Sequence, residues 1–217
     1  MGFHIRTLTM YKPKIYTEND RNKIWNFIKE HPFALISGID NEGKQVATHV
    51  PLIFDENKVK LQGHLMKATN HYKAFINNKD VLVIFSGPNA YISASWYKNP
   101  SSASTWNYIS VQVRGKIEFM NAGDFENLMK RFTLKYEDFK KDSPTYYDNL
   151  PEDYRNRLMK AIAGFEISID SVEATFKLSQ DKDDESFENI LNELSQKSHQ
   201  EKWLADEMQL NRKTKKL

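Results

Sequence analysis

Three apolar β-like runs follow one another almost without pause: Phe33–Ile39, Gln45–Phe54 and Lys58–His64. Only Asp40-Asn41-Glu42-Gly43 and Asp55-Glu56-Asn57 separate them, and both read as turns by composition. A parallel crossover needs roughly a dozen residues or more. These runs must therefore fold back on each other as an antiparallel meander. Further strands follow. Asp80–Phe85 (DVLVIF) is a continuous apolar run, which predicts burial on both faces. Tyr91-Ile92-Ser93 reads as another short strand, Tyr108–Met120 and Gly164–Ser179 as long ones. That makes six or seven strands. No tandem β-α-β rhythm appears, which disfavours a doubly wound parallel sheet. The pattern predicts a mainly β fold with peripheral helices, built on a small closed or nearly closed antiparallel barrel.

The helices are placed by caps and periodicity. Asn19-Asp20 precedes Arg21–Glu30, whose Ile24, Phe27 and Ile28 share one face, and His31-Pro32 stops it. Thr69 or Asn70 caps a short helix to about Ile76. Phe125–Phe139 is amphipathic, and Pro151 starts a helix through Ile162. Past the acidic break Asp181–Glu185, Phe187–Leu194 and Lys202–Leu210 look helical, and Arg212–Lys216 is a basic tail. At roughly 150 residues per domain, 217 residues make one domain with an appendage. The expected division is 1–180 for the barrel and 181–217 for a C-terminal helical extension.

Composition removes several chemistries. There is no cysteine, hence no disulfide, thiolate metal site or Cys nucleophile. A reducing cytoplasm fits that absence. GxGxxG, GxxxxGK[ST] and HExxH are all missing. No apolar run approaches the ~18 residues of a membrane helix. The net charge of +2 does not support a basic nucleic-acid footprint. His49 and His64 lie on adjacent predicted strands, but two histidines without a third ligand make a weak metal case. No Ser-His-Asp set or paired carboxylates can be assembled.

Three segments carry more information. In Gly63-His64-Leu65-Met66-Lys67-Ala68-Thr69-Asn70 a strand ends, a Lys follows and a helix begins. Free amides at a helix start favour an anion, and Lys67 and Thr69 add a charge and a hydroxyl. A phosphate pocket and an ordinary N-cap beside a solvated Lys both fit. In Ala47-Thr48-His49-Val50-Pro51-Leu52 the proline marks an edge or a bulge. Such an edge suits either a kinked strand or the hydrogen-bonding rim of a heterocycle. Ser95-Trp96-Tyr97 and Thr105-Trp106-Asn107-Tyr108 put indoles and phenols around a Ser-rich loop. They suit a ligand wall or a dimer contact, and Asn107 can both donate and accept.

The runs MYKPKIY, HPFALI, ATHVPL, GHLMKATN, VLVIFSGPNAYISASWY, TWNY, AIAGFEI and KLSQ, in this order, resemble the PaiB-type proteins, described as FMN-binding negative transcriptional regulators of bacteria. GPNAYISASWY and TWNY are the specific part, and the likeness runs from Met10 to Gln180. It departs at 98–104, where the loop is short and Ser-rich, and at Ser104, where the family leads one to expect a proline. The resemblance implies an antiparallel FMN-binding split β-barrel, working as a homodimer with flavin at the subunit interface. By position, Lys67 would face the FMN phosphate, with His64 and Thr69 in the same segment. Thr48, His49, Val50 and Pro51 would follow the isoalloxazine edge. Trp96, Trp106, Asn107 and Tyr108 would line the pocket. The function implied is a flavin-binding repressor that acts indirectly, since no helix-turn-helix or basic face is legible. The alternatives are an FMN-dependent oxidoreductase of the flavin reductase or pyridoxamine phosphate oxidase kind, then a haem-binding barrel with His49 or His64 as axial ligand.

Overall fold

The computed structural model describes residues 13–57, 59–99 and 101–215, with side chains through Lys213. Expectations that rest on Met10–Lys12, on Lys58 as a strand start and on Lys216 in the tail lie outside the described residues. The elements, in chain order, are β1 (Thr17–Glu18), α1 (Arg21–Glu30), β2 (Phe33–Ile39), β3 (Gln45–Pro51), β4 (Ile53–Phe54) and β5 (Lys60–Met66). Then come α2 (Asn70–Asn77), β6 (Asp80–Ile92), β7 (Thr105–Phe119), α3 (Ala122–Tyr136) and α4 (Glu152–Ala161). β8 (Ile162–Lys177), α5 (Asp184–Ser195) and α6 (His199–Lys215) complete the chain. The eight strands form one antiparallel sheet in the order β3-β2-β6-β7-β8-β5-β4, with β1 on β8. The fold is a split β-barrel with peripheral helices.

The described chain divides into two compact units, and β6, β7 and β8 run through both. One unit comprises Trp25–Phe85 and Gln112–Val172 and holds the barrel. Here β2 pairs with β3 from Phe33↔Pro51 to Ile39↔Gln45, and β5 pairs with β8 from Lys60↔Ser168 to Met66↔Ile162. β3 also packs against β5 without being its hydrogen-bonded neighbour in the sheet. Gly63 makes the close approach possible. A Cβ there would stand 2.8 Å from Leu52 Cδ2, 2.9 Å from Phe165 Cζ and 3.1 Å from the Pro51 carbonyl oxygen. Gly164 does the same for a helix: its missing Cβ leaves room for the Phe125 ring, which would otherwise lie 2.2 Å away. Phe125, Leu128, Met129 and Phe132 form the buried stripe of α3 and pack with Ile53, Tyr147 and Ile162.

The other unit takes the described part of Met1–Ile24 with Ser86–Val111 and Glu173–Leu217. Its core comes from α5 and α6, with Phe187, Ile190, Leu191 and Leu194 buried on one helix and Leu204, Ala205 and Met208 on the other. The i, i+3, i+4 spacing of these positions is the amphipathic signature. Asp183 caps α5, accepting from the Ser186 amide at 2.9 Å. β1 pairs with β8 through Thr17↔Thr175 and Glu18↔Ala174.

Several expectations need correction. The run 45–54 is two strands, because Leu52 leaves the ladder to donate its N–H to the Pro32 carbonyl at 2.8 Å. The runs 80–85 and 91–93 are one strand of 13 residues. Pro88 lies beyond the β2 ladder, which covers Leu82–Ile84, so its missing N–H takes no donor from the β2 carbonyls. Nor is 80–85 buried on both faces: Val81, Val83 and Phe85 are buried, whereas Leu82 and Ile84 are half-buried. The helix expected to reach Phe139 ends at Tyr136. Asp138 turns left-handed (φ 52°), and the Phe139 N–H reaches back to the Leu134 carbonyl at 2.8 Å, a Schellman closure without glycine.

Candidate functional site

Within the barrel unit, β3 and β5 carry the residues singled out by sequence. Alternation along β3 sends His49 outward, opposite Leu35, and Val50 inward, opposite Ala34. The His49 ring stacks on Phe33, with centroids 5.5 Å apart and planes at 20°. Phe33 itself is 65% exposed, so the pair presents a flat aromatic surface to solvent. Thr48 is half-buried opposite Ile36, and Pro51 ends the strand opposite Phe33.

His64 sits in β5 opposite Gly164, with its ring edge-on to Phe132 of α3 at 5.4 Å. Its Nδ1 is buried and has no hydrogen-bond partner. Burial pushes its pKa below the ordinary 6.5, so the ring is neutral at pH 7. Burial also lowers His71 and, against the opposing charge of Glu30, His31. A histidine held neutral by folding binds its proton more readily when unfolded. Its stabilisation is therefore full above pH 6.5 and is lost as pH falls below that value toward the folded pKa. Urea midpoints should accordingly drop between about pH 7.5 and about pH 5.5. His64→Phe should flatten that slope most, since His64 is the most deeply buried of the three. A slope unchanged by His64→Phe would show that other groups govern the pH response.

From the last residue of β5 onward, Met66, Lys67 and Ala68 are exposed in succession. The Lys67 N–H bonds the Ala161 carbonyl at the end of α4 at 3.0 Å, which fixes the backbone. Its ammonium has no hydrogen bond or ion pair among the described residues. Thr69 caps α2: its hydroxyl donates to the Met66 carbonyl at 2.6 Å and accepts from the Tyr72 amide at 3.4 Å. The hydroxyl is thus used locally. The amides of Asn70 and His71 precede the first intrahelical bond and point out of the helix start.

The aromatic set belongs to the other unit. Trp106 is 54% exposed and meets Tyr91 edge-on at 6.1 Å, an exposed aromatic pair on neighbouring strands. Trp96 is half-buried under the Lys197 ammonium, 4.7 Å from the ring centroid. Tyr108 is half-buried on the same outward register as Trp106. Asn107 faces inward and is fully buried. Its Nδ2 donates to Ser179 Oγ at 2.8 Å and to Met208 Sδ at 3.5 Å, while Oδ1 has no partner.

Sequence reasoning missed two features of the barrel unit. One is a polar cleft of about 530 Å³ between the β4–β5 turn and α3, where Arg131 bonds Gln62 and the Phe54 carbonyl. The other is a cavity of about 470 Å³ on the outer sheet face, which holds Arg114 and Asp170. Alternation in β7 was the available signal for Arg114, because Gln112, Arg114 and Lys116 fall on one face. Among the described residues no group of three or more His, Asp or Glu could hold a metal ion. No described helix is long and apolar enough to cross a membrane.

A family model described as "Putative FMN-binding domain" matches residues 10–171. The chain is 33% identical over 187 residues to the "Protease synthase and sporulation protein PAI 2" of Bacillus subtilis, covering 85% of this chain and 89% of that protein. An uncharacterised protein of Emericella nidulans is 24% identical, covering 79% and 85%. Among solved structures, the flavocytochrome Anf3 of Azotobacter vinelandii superposes with a TM-score of 0.59 at 16% identity, covering 80% of this chain and 75% of that one. An FAD and heme binding protein of Mycobacterium smegmatis gives 0.57 at 15%, covering 82% and 80%. At such identities these structures speak for the fold alone.

Proposed function

The chain belongs to the family described as "Putative FMN-binding domain", and on that footing we propose a cytoplasmic, homodimeric PaiB-type flavoprotein that represses transcription indirectly, through the state of its flavin. FMN is the cofactor assigned by the family match. The residues of the barrel unit fit it. A mononucleotide needs a cation and amides for its phosphate and a flat surface with polar edges for its ring. The exposed Lys67 ammonium, without a hydrogen bond or ion pair among the described residues, and the first amides of α2 in the same segment meet the first need. The exposed Phe33–His49 stack and the β3 backbone from Thr48 to Pro51 meet the second.

When bound, the flavin supplies one- or two-electron transfer. The chain's own contribution is binding and orientation. Lys67 would neutralise the phosphoryl end, β3 would lend amides and carbonyls to the ring edge, and neutral His64 holds an unpartnered Nδ1 in a buried setting. In the other unit, the exposed Tyr91–Trp106 pair suits a subunit contact. The indirect route to repression is supported by the near-balanced net charge of +2 and by α5, which carries Asp184, Glu185, Glu188 and Glu193 with no Lys or Arg. α6 sets Glu201, Asp206 and Glu207 against Lys202, Arg212, Lys213 and Lys215 and adds no strongly basic face.

The single observation that carries this reading is the free cation at the β5–α2 step within the family-matched segment. Titration of the apoprotein with FMN, followed in the visible spectrum, should saturate with a roughly micromolar or tighter Kd. No saturation in that range would sink the flavoprotein reading. Light scattering on the same sample should give the mass of two chains, and a single-chain mass would remove the dimer. Sequence-specific gel-shift binding by the purified protein would overturn the indirect route.

A further inference from the structure

The cavity of about 470 Å³ on the outer face of the barrel unit is bordered by β2, β6, β7, β8 and the first residue of β3, and it has no part in the flavin reading. Charges nearby are paired. Lys116 holds Asp80 at 2.7 Å, Lys79 holds Glu118 at 2.9 Å, and Lys60 is bonded to Glu166. Arg114 and Asp170 are the exception. Both line the cavity, yet neither has a hydrogen bond or ion pair among the described residues, with each other or with anything else. Asp170 is felt by Lys116 only through space.

An open guanidinium and an open carboxylate in one concavity set conditions on an occupant. A simple anion would suit the Arg114 fork but be repelled by Asp170, and a simple cation would meet the reverse. A molecule that carries both charges satisfies both. We infer that this cavity binds a small zwitterion of the α-amino-acid type, with its carboxylate on the Arg114 guanidinium and its ammonium on the Asp170 carboxylate. The planar fork matches a carboxylate in bidentate fashion. Ser37 and Ser171 bring hydroxyls to the same rim, and half-buried Leu82 lines the wall with Ile39, which is 45% exposed. That apolar wall selects an aliphatic side chain. The site uses none of the residues given to FMN and stands independently of that reading.

L-Leucine titrated calorimetrically into the full-length protein is the direct probe. Two analogues dissect it: 4-methylpentanoate lacks the ammonium, and 3-methylbutylamine lacks the carboxylate. Leucine should bind, and each analogue should bind at least about tenfold more weakly. Arg114→Gln and Asp170→Asn should each weaken leucine by about tenfold or more while leaving FMN binding and the melting temperature unchanged. Both side chains are exposed and unpaired, so neither substitution removes a structural contact. The inference is overturned if leucine gives no heat up to about 10 mM. It is also overturned if 4-methylpentanoate binds as tightly as leucine, or if leucine binding survives both substitutions. The analogue series on the unaltered protein decides the matter even if a variant proves unstable.

Discussion

Phe165→Ala should lower the unfolding free energy by about 3–5 kcal/mol, the range expected for deleting a fully buried aromatic ring. The ring is fully buried in the barrel unit. It fills the space left by Gly63, whose absent Cβ would stand 2.9 Å from Phe165 Cζ, and it meets Phe119 edge-on at 6.5 Å. Truncation forfeits the transfer free energy of a whole aromatic ring and leaves a void. The void cannot close easily, because β5 and β8 are hydrogen-bonded on either side of it through Gly63↔Phe165. Phe139→Ala is the control. That ring is 74% exposed, and its loss should stay within about 0.5 kcal/mol. Guanidinium unfolding compares the two by midpoint at constant slope. A Phe165→Ala loss below about 1.5 kcal/mol would show that the barrel interior re-packs around the gap.

The parts of this fold that were legible in the sequence are those decided locally. Asp20 and Thr69 mark their helix starts because a short polar side chain can reach amides two or three residues on. The structure has Asp20 Oδ1 accepting from Asn22 at 2.9 Å and Thr69 Oγ1 from Tyr72 at 3.4 Å. The β2–β3 meander is legible because its turn is too short for anything else. The continuity of β6 through Pro88 was not, because a proline's tolerance depends on which neighbour lies beside it. Here the ladder from β2, a strand some fifty residues earlier, covers Leu82–Ile84 and stops short of Pro88. The same holds for the candidate sites. The β5–α2 step reads from one contiguous segment, GHLMKATN. The Arg114–Asp170 cavity joins five strands spread from Ser37 to Ser171, and only the sheet order brings them together. Burial on one face of β6 was misjudged for a related reason. An apolar run says that the strand is central, not that both of its faces are covered.

Lys67→Ala should weaken FMN by about 10–100-fold and leave riboflavin nearly unchanged, since a charge-assisted contact contributes about 1.5–3 kcal/mol and only FMN carries the phosphate. The substitution is clean. The ammonium has no hydrogen bond or ion pair among the described residues, and the bond from residue 67 to the Ala161 carbonyl uses the backbone, which alanine keeps. Stability should therefore hold while affinity falls. Lys67 is exposed, so part of its attraction is screened by salt. FMN affinity of the unaltered protein should decline from low to moderate ionic strength, and that decline should be shallower in the variant. Lys67→Arg, which keeps the charge, should recover most of the loss. Parallel losses for FMN and riboflavin would place Lys67 against the ring or ribityl chain instead of the phosphate. No loss for either would move the phosphate site off the β5–α2 step altogether, and the amides of Asn70 and His71 would then have no anion to hold.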